Sequence, residues 1–313
     1  MAEKKIATRE AYGSALAEFG CNENVIVMDA DLSKSTKTDS FKKVYPERFI
    51  NTGIAEANMI TTAAGLATCG KTVFASSFAM FAAGRAFEQI RNSVCYPKLN
   101  VKIGATHAGI SVGEDGATHQ CLEDFGLMRT LPNMVILSPA DATETRAAVK
   151  WAIDHKGPVY LRLGRLGVAP IFDEATYNFE MGKGITLKDG TDVTIITTGL
   201  MTGMAVEAYE MLKAEGISAR VINMHTIKPI DADIIIKASK ETGAVVTCEE
   251  HNIMGGLGSA VAEVLAENAP CPMVRVGTND EFGASGTPNE LLKAYGLTAE
   301  NICESAKKAI AKK

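Results

Sequence analysis

Two segments of this chain hold the residue types that do proton chemistry. In the first, Gly53-Ile54-Ala55-Glu56-Ala57-Asn58-Met59, a lone carboxylate opens a helix of small and apolar residues. A carboxylate in a first helical turn is favourable for the helix dipole by itself. Packed into an apolar helix, it also becomes a proton donor or a strong hydrogen-bond partner. The second segment runs from His107 to Gln120 and includes Gly113-Glu114-Asp115-Gly116-Ala117-Thr118-His119-Gln120. It gathers two imidazoles and two carboxylates between glycines 109, 113 and 116. A metal site would need a compact ligand spacing, and this segment has neither that spacing nor a cysteine. Between the two segments, Phe78 and Phe81 stand three apart, a spacing that puts two rings on one helix face.

Elements of a parallel sheet must position these residues. The opening reads as a helix that Thr8 can cap, with Ala11, Leu16 and Ala17 on one side. Val25 to Met28 is a short apolar run of the kind found in buried parallel strands. A polar loop (33–40) and the Glu56 helix (57–69) follow. Then come a strand (72–75), a helix (78–91), a strand (101–104), a strand (134–137), a helix (141–151) and a strand (159–162). After a polar, glycine-containing stretch (177–191), strands at 193–196, 219–222 and 244–247 alternate with helices. The Glu249-Glu250-His251 segment with Gly255-Gly256-Leu257-Gly258 looks like a glycine-rich phosphate loop opening a helix, but a lone glycine cluster is a weak signal and these residues read as structural. Strands alternating with helices imply two α/β domains, each a mainly parallel sheet flanked by helices. The expected division is 1–185 and 186–313. Sites in such sheets form beyond the carboxyl ends of strands, where Asp31, His107 and Arg165 fall.

Bulk composition narrows the function. The 313 residues are 46% hydrophobic and 22% charged, the make-up of an ordinary globular protein. A net charge of -5 gives no basic face for nucleic acid. The apolar runs are too short to span a bilayer. Seven cysteines without a Cys-x-x-Cys pair, and no signal-like start, point to a reduced, cytoplasmic protein.

These motifs together resemble the transketolase family of thiamine diphosphate enzymes, and the resemblance covers essentially the whole chain. It implies a thiamine diphosphate-binding fold followed by a transketolase C-terminal-like domain. By resemblance, Glu56 bonds the aminopyrimidine ring of the cofactor, and Phe78 and Phe81 form the ring's pocket. Some members place a third aromatic where this chain has Gly84. The same resemblance makes His107 a partner of the sugar's oxygens or phosphate. Asp115 recognises a hydroxyl beside the reacting carbonyl, and His119 assists proton transfer. Arg9, Ser35 and Arg165 match positions that grip a substrate phosphate, a task suited to arginine's fixed fork of donors. Asp31 lies near the cofactor or a chain interface.

The family's other domain holds the diphosphate through Mg2+ or Ca2+ and carries Gly-Asp-Gly. That string does not occur in these 313 residues. The resemblance therefore implies a split transketolase. An N-terminal subunit would supply the diphosphate and metal half, and two of each chain would form a heterotetramer, a dimer of heterodimers. The reaction implied is transfer of a two-carbon ketol unit from a ketose phosphate to an aldose phosphate, as in the pentose phosphate pathway. The beta subunit of a 2-oxoacid dehydrogenase is the alternative, as is a related sugar ketol transferase. The phosphate-gripping arginines argue against the former, since 2-oxoacids carry no phosphate. A non-catalytic scaffold subunit is the reading from another class, and an intact Glu56, His107 and Asp115 argue against it.

Overall fold

The computed structural model describes residues 4–313. A seven-stranded sheet forms the core of the first domain. Its strands are β2 (Val25–Asp29), β3 (Phe49–Asn51), β4 (Thr72–Phe78), β5 (Val101–Thr106), β6 (Val135–Leu137), β7 (Val159–Arg162) and β12 (Thr226–Lys228), in the order β12-β6-β7-β5-β4-β2-β3. All pairs are parallel except β12 with β6. The second sheet has the order β14-β13-β10-β11-β9, with β9 (Ile185–Lys188), β10 (Val193–Thr197), β11 (Ala219–Asn223), β13 (Val245–Asn252) and β14 (Met273–Thr278). Only β9 runs antiparallel there. Val73, Phe74, Ile103, Tyr160 and Leu161 are fully buried in the first sheet, as Ile195, Val221 and Val246 are in the second. Such continuous apolar strands suit sheets covered on both faces. The chain is thus a two-domain α/β protein, and β12 crosses back from the second half to the edge of the first sheet. Immediately before the first helix, β1 (Ile6–Ala7) pairs with β8 (Gly167–Val168).

Several elements differ from expectation. The first helix, Thr8–Phe19, has Ala7 rather than Thr8 at its cap position. The Thr8 hydroxyl instead accepts the amide N–H of Gly164 at 2.7 Å, tying the helix start to the turn that carries Arg165. The polar loop contains two short helices, Ser33–Thr36 and Asp39–Val44. They form because buried Asp29 accepts hydrogen bonds from the Leu32 amide, Thr36 and Thr38. Strand β4 runs on through Ser76 and Ser77 to Phe78, because Gly104, Ala105 and Thr106 of β5 pair with them. Phe78 therefore ends a strand, and the helical segment starts at Met80. Its first six residues, Met80–Arg85, form π-helical turns. Glu249, Glu250 and His251 lie on β13 rather than in a loop, and the Glu249 carboxylate caps the helix Leu257–Asn268 by accepting from the Leu257 and Gly258 amides, both at 2.7 Å. Among the described residues no helix is long and apolar enough to cross a membrane.

Candidate active site

Most of the expected site residues meet beyond the carboxyl ends of β2, β4, β5 and β7. Glu56 is the first residue of the helix Glu56–Thr68 and is only 1% exposed. Its Oε1 accepts from the Ser77 hydroxyl at 3.2 Å, and its Oε2 accepts from Arg85 Nη1 at 2.7 Å. Next to it runs a column of planar groups. The His107 ring stacks on Phe78 at 3.7 Å between centroids. Phe78 stacks on Phe81 at 5.8 Å with 13° between planes. The Arg85 guanidinium lies 4.7 Å from the Phe81 centroid. His119 meets Phe81 edge-on at 5.3 Å, and its Nδ1 pairs with the Thr118 hydroxyl at 3.0 Å.

At the other end of the column stands a basic cluster. Arg9 Nη1 donates to the Ser35 carbonyl and to His107 Nε2, each at 2.9 Å. A guanidinium has no acceptor, so Nε2 must be the bare nitrogen and Nδ1 carries the proton towards Thr106 Oγ1. Ser35 thus enters through its main chain. The Nε of Arg9 is buried without a partner among the described residues. Arg165 donates to the Val112 carbonyl and to Glu114 at 3.1 Å. His107, Lys37 and Asp31 all adopt positive φ, at 56°, 68° and 67°. Such conformations cost energy for residues with a Cβ and cluster at functional sites.

The cluster is basic, with a neutral imidazole beside its cations. Burial pushes the His107 pKa down to about 3, helped by Arg9, Arg165, His119 and Lys37. Burial and then Arg165 lower Arg9 too. The neutral imidazole offsets none of the charge of Arg9; Arg165 is paired with Glu114, and Lys37 lies 3.9 Å from Glu10. Between pH 6.5 and 3 the unfolded chain binds a proton at this imidazole and the folded chain does not, so stability falls as pH falls. Its share is about 2 kcal/mol between pH 6.5 and 5. Chemical denaturation at pH 7.5 and pH 5 is expected to show a smaller loss on acidification for His107→Asn than for the native chain. Equal losses would rule out a neutral buried His107.

The second domain braces the loop 107–120. Glu250, whose carboxyl is pushed up by burial, accepts the Ser111 amide at 2.6 Å. Gln120 Nε2 donates to the Ala284 carbonyl at 2.9 Å, and the Ser285 hydroxyl donates to the Glu114 carbonyl at 2.7 Å. A cleft of about 630 Å³ opens between this loop, the Met80–Arg85 turns and the loop around Phe282, with Phe81, Arg85, Gln120, Asp280 and Glu281 on its walls.

Two expected residues stand apart. Asp115 is exposed and makes no side-chain hydrogen bond among the described residues. Asp31 is exposed and hydrogen-bonded to Asn51. Sequence reasoning missed Arg85, Asp29, Lys37 and Glu250. Among the described residues no three His, Cys, Asp or Glu side chains are grouped to hold a metal. The donor set suits an aromatic nitrogen heterocycle: a buried carboxylate, stacked rings and an adjoining cleft.

Comparison with known proteins gives a consistent picture. Residues 4–169 match the family model described as the transketolase pyrimidine binding domain, and residues 182–302 match the transketolase C-terminal domain. A chain of Methanocaldococcus jannaschii, named provisionally as a transketolase C-terminal section, is 56% identical over 95% of this chain and 94% of its own length. The 6-deoxy-6-sulfo-D-fructose transketolase subunit SqwH of a Clostridium species is 42% identical over 95% of this chain and 92% of its own. A solved structure titled split gene transketolase, inactive beta4 tetramer, is 59% identical, with a TM-score of 0.92 over 98% of this chain and 99% of that one.

Proposed function

Because the chain belongs to the transketolase family, we propose that it is the C-terminal subunit of a split transketolase that transfers a two-carbon ketol unit between sugar phosphates. Residues 1–185 would carry the pyrimidine-binding half of the cofactor site, and residues 186–313 the bracing C-terminal domain. The observation that carries this reading is the stacked column. It joins a buried carboxylate, Glu56, to a basic cluster at Arg9, His107 and Arg165.

Glu56, Phe78 and Phe81 would hold the aminopyrimidine ring of thiamine diphosphate. When bound, that cofactor supplies the electron sink for breaking a carbon–carbon bond. Glu56 holds a proton at a ring nitrogen, which is general acid–base work from a fixed position. Phe78 and Phe81 exclude water from that contact. Arg9 and Arg165, with the Ser35 segment, bind the substrate phosphate. His107, neutral and with Nε2 as its acceptor, would take a hydrogen bond from a sugar hydroxyl once Arg9 turns to the phosphate. His119 would move a proton at the substrate oxygens, and Asp115 would read a substrate hydroxyl. Asp31 would face the partner subunit. The diphosphate and its Mg2+ or Ca2+ would be held by an N-terminal subunit, in a dimer of heterodimers. Relatives of equal length named as a section or a subunit support this division. The donor and acceptor we assign are pentose phosphates. The Clostridium relative, named for a sulfo-sugar, makes sulfofructose the second donor to test.

The test is ketol transfer from xylulose 5-phosphate to ribose 5-phosphate with thiamine diphosphate and magnesium, using the chain alone and mixed with candidate N-terminal chains. Activity only in a mixture is expected. Activity of the chain alone would overturn the division into subunits.

A further inference from the structure

We propose that Arg85 is the positioning residue for Glu56, fixing its carboxylate before the cofactor ring arrives; this rests on the reading above. Three observations carry it. First, the ion pair is lopsided: Arg85 is 49% exposed and Glu56 1%. An exposed pair is worth little, but here the anion is buried, and its other bonded partner is the neutral Ser77 hydroxyl. Without Arg85, that carboxylate would have no bonded cation among the described residues. A buried carboxylate in that state turns towards water or takes up a proton.

Second, the backbone is built to deliver this side chain. Met80–Arg85 forms π-helical turns, which are rare and concentrate at functional sites. In this segment Arg85 lies over the ring of Phe81, four residues earlier, with 4.7 Å from guanidinium to centroid. The planar cation therefore has two anchors, the ring and the carboxylate, and little freedom to leave either. Third, Arg85 lines the cleft beside Phe81, so it acts at the side from which a ring would enter. Nη1 is bonded to Oε2 only, and each carboxylate oxygen accepts more than one hydrogen bond. Capacity thus remains on Glu56 for a ring nitrogen.

The experiment uses the complex of this chain with its N-terminal partner and measures thiamine diphosphate affinity by titration calorimetry. Arg85→Met is expected to weaken binding about tenfold, the scale of one charge-assisted hydrogen bond. Arg85→Lys is expected to recover part of this, because it keeps the charge but not the planar stack on Phe81. In a Glu56→Gln background Arg85→Met is expected to change little, since the charge it positions is gone. Affinity of Arg85→Met equal to or tighter than the native complex would overturn the proposal, as would an equal loss in both backgrounds. If the native complex itself binds no thiamine diphosphate, the functional reading falls, and the proposal with it. Arg85→Met leaves a buried carboxylate without its cation, so its melting temperature is expected to fall below native, whereas adding Arg85→Met to Glu56→Gln is expected to leave melting as in Glu56→Gln alone.

Discussion

Glu56→Gln is expected to lower the kcat of ketol transfer by about a hundredfold to ten-thousandfold, the usual range for removing a positioned acid–base group. Glutamine has the same shape and still accepts from Ser77. It loses the negative charge that pairs with Arg85 at 2.7 Å. The folded state tolerates this, because Arg85 is half exposed and water can solvate its freed guanidinium. Chemistry is expected to suffer because an amide cannot hold or return a proton. The measurement is kcat in the reconstituted complex, alongside the melting temperature of the chain. A melting temperature within a few degrees of native, with activity within tenfold of native, would remove Glu56 from its role. A large fall in melting temperature would instead assign the residue to structure.

How far this site was legible depended on the kind of contact involved. Glu56, His107 and His119 stood out because carboxylates and imidazoles among glycines and alanines are visible in a linear string. The pairing of β4 with β5 was less visible. Nothing local says that Ser76, Ser77 and Phe78 continue a strand, because the reason is the facing run Gly104-Ala105-Thr106. Arg85 had a local signal, an arginine four residues after Phe81, but the expected element there was an ordinary helix. What the string could not show is that Glu56, 29 residues earlier, lies within reach of the same guanidinium. Asp29 was passed over for Asp31. Asp29 ends the strand and Asp31 lies just past it, yet only Asp29 is buried and organises the loop through Leu32, Thr36 and Thr38. Glu250 read as part of a glycine-rich loop with a structural role. Its function depends on Ser111, 139 residues away, and no periodicity encodes a contact at that separation. The strand β12 escaped for a similar reason: three residues from the second half complete the sheet of the first.

Arg162→Leu is expected to destabilise the chain by about 3–5 kcal/mol, because it strips a buried cation from buried anions. Arg162 is 6% exposed and Asp124 0%, with Nε to Oδ2 at 2.8 Å. Tyr160 also donates to Asp124 Oδ2, at 2.9 Å. The other end of the guanidinium donates to the Glu250 carbonyl at 2.8 Å. Glu249 and Glu250 are buried within the same interdomain layer, and burial raises both carboxyls. Leucine would leave three carboxyl groups with no guanidinium among them. Because the folded state then gains most by protonating them, the deficit is expected to shrink as pH falls from 8 to 5. Replacing both partners, Arg162→Leu with Asp124→Leu, is expected to cost less than the single change, since no orphaned charge remains at that pair. Urea denaturation at pH 8 and pH 5 measures all three effects. A single-variant loss below about 1 kcal/mol at pH 8 would mean that water, rather than Arg162, compensates Asp124. The consequence reaches the candidate site. Arg162 holds the strand from which Glu250 braces Ser111, so a loosened layer also frees the loop that carries His119. The KM for the phosphorylated sugar is therefore expected to rise at temperatures where the variant is still folded, which distinguishes loss of bracing from simple loss of folded protein.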